Sequence, residues 1–368
     1  MLIKRFLVFL LYASSLLLLL SCGTEMGEQI AAGGIIGTGE KENESTLDPE
    51  GLPELIQNSK IVSIGTITAL DGITVNGVRY ETKDATVFLD GREVQNSVDS
   101  LDLGMVVEVH GLVNAERTAG IAEKVKYDNI VEGPLTEINT TNQTFVILGK
   151  TIKATTSTIF ELFPSGEQGN FSNLLHNKVY EISGFSDSDG SVIATRVEEK
   201  EIGGVIGRTG VVTLLASDDT TFTIDTVLVN YSDALLKDFA EDTISNGDLV
   251  EVKGTMSDAD PPTFLATKVK LKNQKPKDIA EEDDVEIEGI INSMDGPVFE
   301  LLSGGVKIDV TFGNFTKYEH VSRQELRAGM KVEVEGIIVN GNLEANEIER
   351  KRRHDHHENG GHKKDDHR

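Results

Sequence analysis

The chain has 368 residues and carries 61 Asp and Glu against 35 Lys and Arg, a formal net charge of -26 at pH 7. A body this acidic repels phosphate backbones, which argues against nucleic acid as a partner, and its length implies about two to four domains. One cysteine and no tryptophan exclude an internal disulfide and a tryptophan platform for stacking sugars or bases.

Residues 1–22 read as an export signal. Lys4 and Arg5 precede an apolar run from Phe6 to Leu20, broken only by Ser14 and Ser15. That run is shorter than the ~20 apolar residues a spanning helix needs. It ends in Leu19-Leu20-Ser21-Cys22-Gly23, which resembles the bacterial lipobox. The resemblance implies acylation of the Cys22 thiol, cleavage before Cys22 and a lipid-anchored mature chain. Each buried methylene contributes about 0.8 kcal/mol, so two or three acyl chains hold a protein stably on a bilayer. Gly23 stands where inner-membrane lipoproteins carry aspartate, so an outer-membrane destination is expected in a double-membraned cell.

Residues 23–58 are rich in Gly, Glu and Ser without a sustained apolar period, and read as a disordered, flexible tether reaching about 30–36 Å. Their glycines, from Gly33 to Gly39, do not form a phosphate loop. That motif needs Lys and Ser or Thr after its last glycine, and Gly39 is followed by Glu40-Lys41-Glu42.

The body repeats four times, over 59–128, 129–200, 201–273 and 274–350, the last including a linker. Gly104-Met-Val-Val-Glu108-Val-His-Gly111 returns as Val179-Tyr-Glu181-Ile-Ser-Gly184, as Gly247-Asp-Leu-Val-Glu251-Val-Lys-Gly254 and as Gly329-Met-Lys-Val-Glu333-Val-Glu-Gly336. Each copy is followed by a second signature, Ala122-Glu-Lys124-Val125, Ala194-Thr-Arg196-Val197, Ala266-Thr-Lys268-Val269 or Ala345-Asn-Glu347-Ile348. Recurrence in phase at about 70 residues marks repeated structural units.

Within a unit the apolar period is two, as in Ile73-Thr-Val75-Asn-Gly77-Val78-Arg-Tyr80, which predicts half-buried strands around tight turns. Each unit reads as five short strands with a less regular stretch after the third, such as Val94 to Leu103 or Ser232 to Ile244, long enough for a short helix. That is the plan of a small OB-like barrel, and the fold class expected is all-β, with four such barrels in tandem. Alternation places Glu108, Glu181, Glu251 and Glu333 in one outward slot and Lys124, Arg196 and Lys268 in another. If the strands pair, each unit carries a surface ion pair that fixes register. The fourth unit departs from this, with Glu347 in the basic slot.

The stretch Ile73 to Thr82, continuing through Ala85-Thr86-Val87 and Asp90-Gly91, resembles the bacterial family catalogued as domain of unknown function 5666, found in exported proteins and often repeated in tandem. The glycine run after the lipobox fits the same group. The resemblance is closest over 61–127 and extends through 128–350. It implies small β-barrel repeats and carries over no catalytic residue.

No cysteine nucleophile remains outside the lipobox and no Gly-x-Ser-x-Gly elbow occurs. His110, His176 and His320 fall singly and read as outward polar residues. Asp187-Ser-Asp189-Gly190 begins like a calcium loop but reads as a hairpin turn. Residues 351–368 form a disordered tail holding five of the eight histidines. Its His354, Asp355, His356, His357, His362 and His367 suit loosely bound Zn, Ni or Cu(II). His357-Glu358-Asn-Gly-Gly-His362 is one residue too long for the zinc-protease motif, and its glycines oppose a helix. The function expected is a non-enzymatic, membrane-anchored envelope module binding a protein or glycan, with no cofactor. Metal sequestration by the tail is the alternative.

Overall fold

The computed structural model describes residues 59–351 apart from 95–96, 218–219, 273–278 and 282. Cys22, the tether and the tail histidines lie outside the described residues.

The alternating apolar residues do become strands. In unit 1 these are Ser59–Ala69, Ile73–Val75, Val78–Glu81, Val106–Val113 and Ala119–Tyr127. Unit 2 repeats them as Val131–Asn139, Thr144–Ile147, Lys150–Lys153, Val179–Ser186 and Val192–Lys200. Unit 3 has Ile206–Thr213, Thr221–Ile224, Val227–Asn230, Leu249–Met256 and Phe264–Leu271. Unit 4 has Asp284–Asp295, Val298–Ser303, Val306–Thr311, Lys331–Val339 and Asn342–Arg350.

In unit 1 the first strand pairs with the second, the second with the third, the third with the fifth in parallel, the fifth with the fourth, and the fourth with the first again. The same circuit returns to its start in units 2, 3 and 4. Closure in the order 1-2-3-5-4-1 is the OB arrangement, in which each of these strands has a partner on both sides over part of its length.

Sequence periodicity did not resolve the crossover between the third and fourth strands. It holds an extra strand, Thr86–Leu89, Ile159–Leu162, Leu235–Lys237 or Lys317–Glu319, lying parallel to the fifth. A short 3-10 helix follows in each unit: Ser97–Ser100, Phe171–Asn173, Ala240–Asp242 or Arg323–Glu325. Elements of three or four residues are too short to show a period.

The inward positions fill each barrel. One slot of the second strand holds Ile73, Phe145, Phe222 and Phe299 in the four units, all essentially inaccessible. Burying each such side chain contributes about 1.5–3 kcal/mol. The turn after that strand in unit 1 is Asn76-Gly77, with φ of 51° and 83°, as a two-residue hairpin requires.

The repeated glycine that closes the fourth strand also has a structural cause. In all four units the pairing of strands four and five slips at Gly111, Gly184, Gly254 and Gly336. A Cβ there would sit well inside van der Waals contact of the carbonyl of Ile121, Ile193, Leu265 or Glu344. Gly254→Ala is therefore expected to cost about 1–3 kcal/mol in a denaturant melt. An unchanged midpoint would show that the bulge relaxes freely.

The bulge corrects the expected ion pairs. Glu108 faces Lys126 rather than Lys124, and Glu251 faces Lys270 rather than Lys268. In unit 2 Arg196 stands opposite Ser183, while Glu181 meets Glu198. The acidic slot is also not solvent surface: Glu181, Glu251 and Glu333 are buried where barrels meet.

The barrels join out of sequence order. Units 1 and 4 share one sheet through parallel first strands, Ile61–Ile64 against Asp284–Ile287. Units 2 and 3 share another where Val131 and Glu132 cross Arg208 and Gly207. Arg208 is fully buried there and donates to the Leu148 carbonyl and the Asp225 carboxylate, while Lys150 reaches Asp225 at 2.8 Å.

Candidate functional site

A cleft of about 920 Å³ opens where units 1, 2 and 4 meet. Phe185 and Ile193 line it and belong to an apolar seam with Val106 of unit 1 and Ile290 of unit 4. Alternation explains the seam: these residues lie on outward faces of their own barrels and lose water only against each other. Lys331 lies over the Phe185 ring, its Nζ 4.6 Å from the centroid, and pairs with Glu288 at 2.7 Å. Glu288 also accepts from the Thr66 backbone N at 3.0 Å and Oγ1 at 2.8 Å. Burial pushes the Glu288 carboxyl up, but Lys331 and the Thr66 donors outweigh it and hold the group below its ordinary value.

Small hydroxyl and amide side chains make the walls. Thr141, Asn142 and Gln143 come from the turn between the first two strands of unit 2, and Thr155, Thr156 and Ser157 from the end of its third. Several are already engaged: Thr155 Oγ1 bonds Ser157 Oγ at 2.9 Å, and Thr195 Oγ1 donates to the Gly104 carbonyl at 2.6 Å. The rim carries His320, Glu349, Arg350 and Lys351. Lys351 bridges Glu333 at 2.9 Å and Glu349 at 2.6 Å, and His320 Nδ1 stands 3.4 Å from Glu349 Oε1.

A second polar cluster sits where units 1, 2 and 3 meet. Asp90, Glu132 and Glu181 bring carboxylate oxygens within 4.8 Å of one another. Tyr127 donates to Glu181 at 2.8 Å, Lys253 pairs with Asp90 at 2.8 Å, and Lys200 lies 3.5 Å from Glu181. Glu132 stands directly opposite Glu181, and burial, then Glu181 and Asp90, push its carboxyl up to about 7. The lysines already neutralise much of this cluster, so it serves first as a joint between units.

Of the histidines read as isolated, His110 contacts Glu108 and Nδ1 of His176 contacts the Thr136 carbonyl at 3.1 Å. His320 instead joins Glu319 and Glu349, thirty residues apart in sequence, in a cluster with ligating atoms within 4.8 Å of one another. Asp187, Asp189 and Gly190 form the expected turn between the last two strands of unit 2, with Lys153 held to both aspartates at 2.9 and 2.7 Å. Sequence reading missed the cleft because its residues come from three units. The one departure visible in the repeats, the acid Glu347 where the other units place a base, lies beside Glu319 and is not among the residues lining the cleft.

A family model described as "Domain of unknown function (DUF5666)" matches residues 64–126, 132–198, 209–270 and 288–349. No curated protein matches the chain. Among solved structures, one described as drosophila Unr CSD456 is 12% identical, with the match covering 61% of this chain and 98% of that one at a TM-score of 0.15. Another, a multidomain protein with nucleic acid binding domains from Streptococcus pneumoniae, is 12% identical over 60% of this chain and 73% of that one, also at 0.15. Scores this low carry no argument about what the chain binds.

Proposed function

We propose, from the premise that this chain belongs to the DUF5666 family, that it is a lipid-anchored envelope protein whose four barrels form a non-enzymatic binding module. The cleft between units 1, 2 and 4 holds a segment of an envelope polypeptide that carries both apolar and polar side chains. The observation that carries this reading is the cleft itself: about 920 Å³, lined by apolar side chains such as Ile67, Leu103, Ile159 and Ile193 with hydroxyl, amide and a few charged groups set among them. A glycan fits less well, because the Phe185 ring on the lining is capped by Lys331 and offers no free face for stacking. The acid excess opposes nucleic acid. The Cys22 lipobox supports anchoring, with Gly23 favouring the outer membrane. Sequestration of Zn, Ni or Cu(II) by the tail is a separate reading that rests on its five histidines.

A photoreactive amino acid at Thr156, inside the cleft, is expected to give a discrete polypeptide adduct in intact cells. The same group at Asp258, on a distant exposed turn of unit 3, is expected to give none. With Cys22→Ser the protein is expected to leave the membrane fraction and the adduct to fade. Equal labelling from both positions, or adducts from neither, would remove the binding role.

A further inference from the structure

We propose that Glu319, His320 and Glu349, at the edge of unit 4, form a site for a divalent transition metal such as Zn²⁺. Imidazole nitrogen and carboxylate oxygen together are the donor set such ions prefer over Ca²⁺ or Mg²⁺. The three residues bring one ligating atom each within 4.8 Å of the others. Glu319 and Glu349 are direct partners on two neighbouring parallel strands, and His320 follows Glu319 in the bend that ends its strand.

Two further observations point to a cation. The first is a distance. His320 Nδ1 and Glu349 Oε1 are 3.4 Å apart, too long for a good hydrogen bond. It matches two ligands on one tetrahedral ion, which bonds of about 2.0–2.1 Å set roughly 3.4 Å apart. The second is an unbalanced row. Pairing sets Glu319 opposite Glu349, Glu349 opposite Glu333 and Glu333 opposite Glu288, so carboxylates run across consecutive strands. Like charges directly opposite are destabilising. Lys331 answers Glu288, and Lys351 answers Glu333 and one oxygen of Glu349. Glu333 Oε2 is buried without a hydrogen-bond partner, and Glu319 adds its charge at the open end, beside Glu347. A dication between Glu319, His320 and Glu349 would neutralise that end. A site with three protein ligands keeps a position for water or a ligand atom, and here His320 and Glu349 also line the cleft. The metal site does not depend on what the cleft holds.

The test uses the full chain with its tail silenced by H354A, H356A, H357A, H362A and H367A. Titration with Zn²⁺ by calorimetry is expected to give one equivalent bound, with the melting temperature raised. His320→Ala in that background is expected to weaken Zn²⁺ at least tenfold, and Glu349→Gln to weaken it less. His320 is 55% exposed at its side chain, so the variant is expected to melt like its parent without metal. Failure of the tail-silenced chain to bind Zn²⁺, or His320→Ala binding as tightly as the parent, would overturn the site.

Discussion

Raising the pH from 5 to 9 is expected to weaken the fold, and Glu286→Gln to remove the largest single share of that weakening. Glu286 lies on the parallel joint between units 1 and 4, opposite Ser63, and is almost wholly buried. Burial, then Glu333 and Glu335, push its carboxyl from 4.5 up to about 8, with Arg117 and Lys351 offsetting part of the effect. The folded chain therefore holds a proton that the unfolded chain has released above 4.5. Stability from this group is full below 4.5, falls as pH rises through about 8, and is flat beyond. At about 1.4 kcal/mol per pH unit the loss has an upper bound of roughly 4–5 kcal/mol. Glu333 and Glu132, both pushed by burial to about 7, act in the same direction. Glu288 and Asp128, held low against burial by their lysines, act in the opposite direction and only under acid conditions. Glutamine keeps the shape and the Ser63 contact without the charge. Denaturant midpoints at pH 5, 7 and 9 decide the matter: an equal slope in parent and variant would remove Glu286 as its source.

Arg208→Met is expected to lower stability by about 3 kcal/mol at neutral pH, through loss of the lock between units 2 and 3. The guanidinium is inaccessible and joins the Leu148 turn of unit 2 to Asp225 of unit 3. Methionine fills much of the space but leaves the Leu148 carbonyl without its donor. Asp225 keeps Lys150 and part of its solvent, which limits the cost. Lys150→Met is expected to cost less, because Arg208 still holds both partners. Chemical denaturation of the two variants checks this, and an Arg208→Met loss below about 0.5 kcal/mol would show that the pair is no lock.

The units and their strands were legible because two-residue alternation and turn chemistry act locally. Ile73, Val75, Val78 and Tyr80 announce their own burial, and Asn76-Gly77 announces the turn between them. The ion pairs were misassigned because a bulge adds a residue to one strand only, and alternation along either strand cannot show it. The joints between barrels were illegible for a different reason. Ser63, Arg208 and Glu286 are polar residues on outward positions, which read as solvent-facing until another barrel covers them. Glu319, His320 and Glu349 meet only because the crossover strand lies beside the fifth strand, a pairing no local pattern encodes.

The pairing of unit 1 with unit 4 gives the chain a temporal order. Synthesis runs from the N-terminus onward, so the first barrel emerges well before the strand that will flank it. Until Asp284–Asp295 arrives, the Ile61–Ile64 edge has no neighbour there, whereas units 2 and 3 find each other at once. The middle of the molecule can thus mature as a kernel while its first barrel waits. In that interval the first strand of unit 1 keeps an open edge.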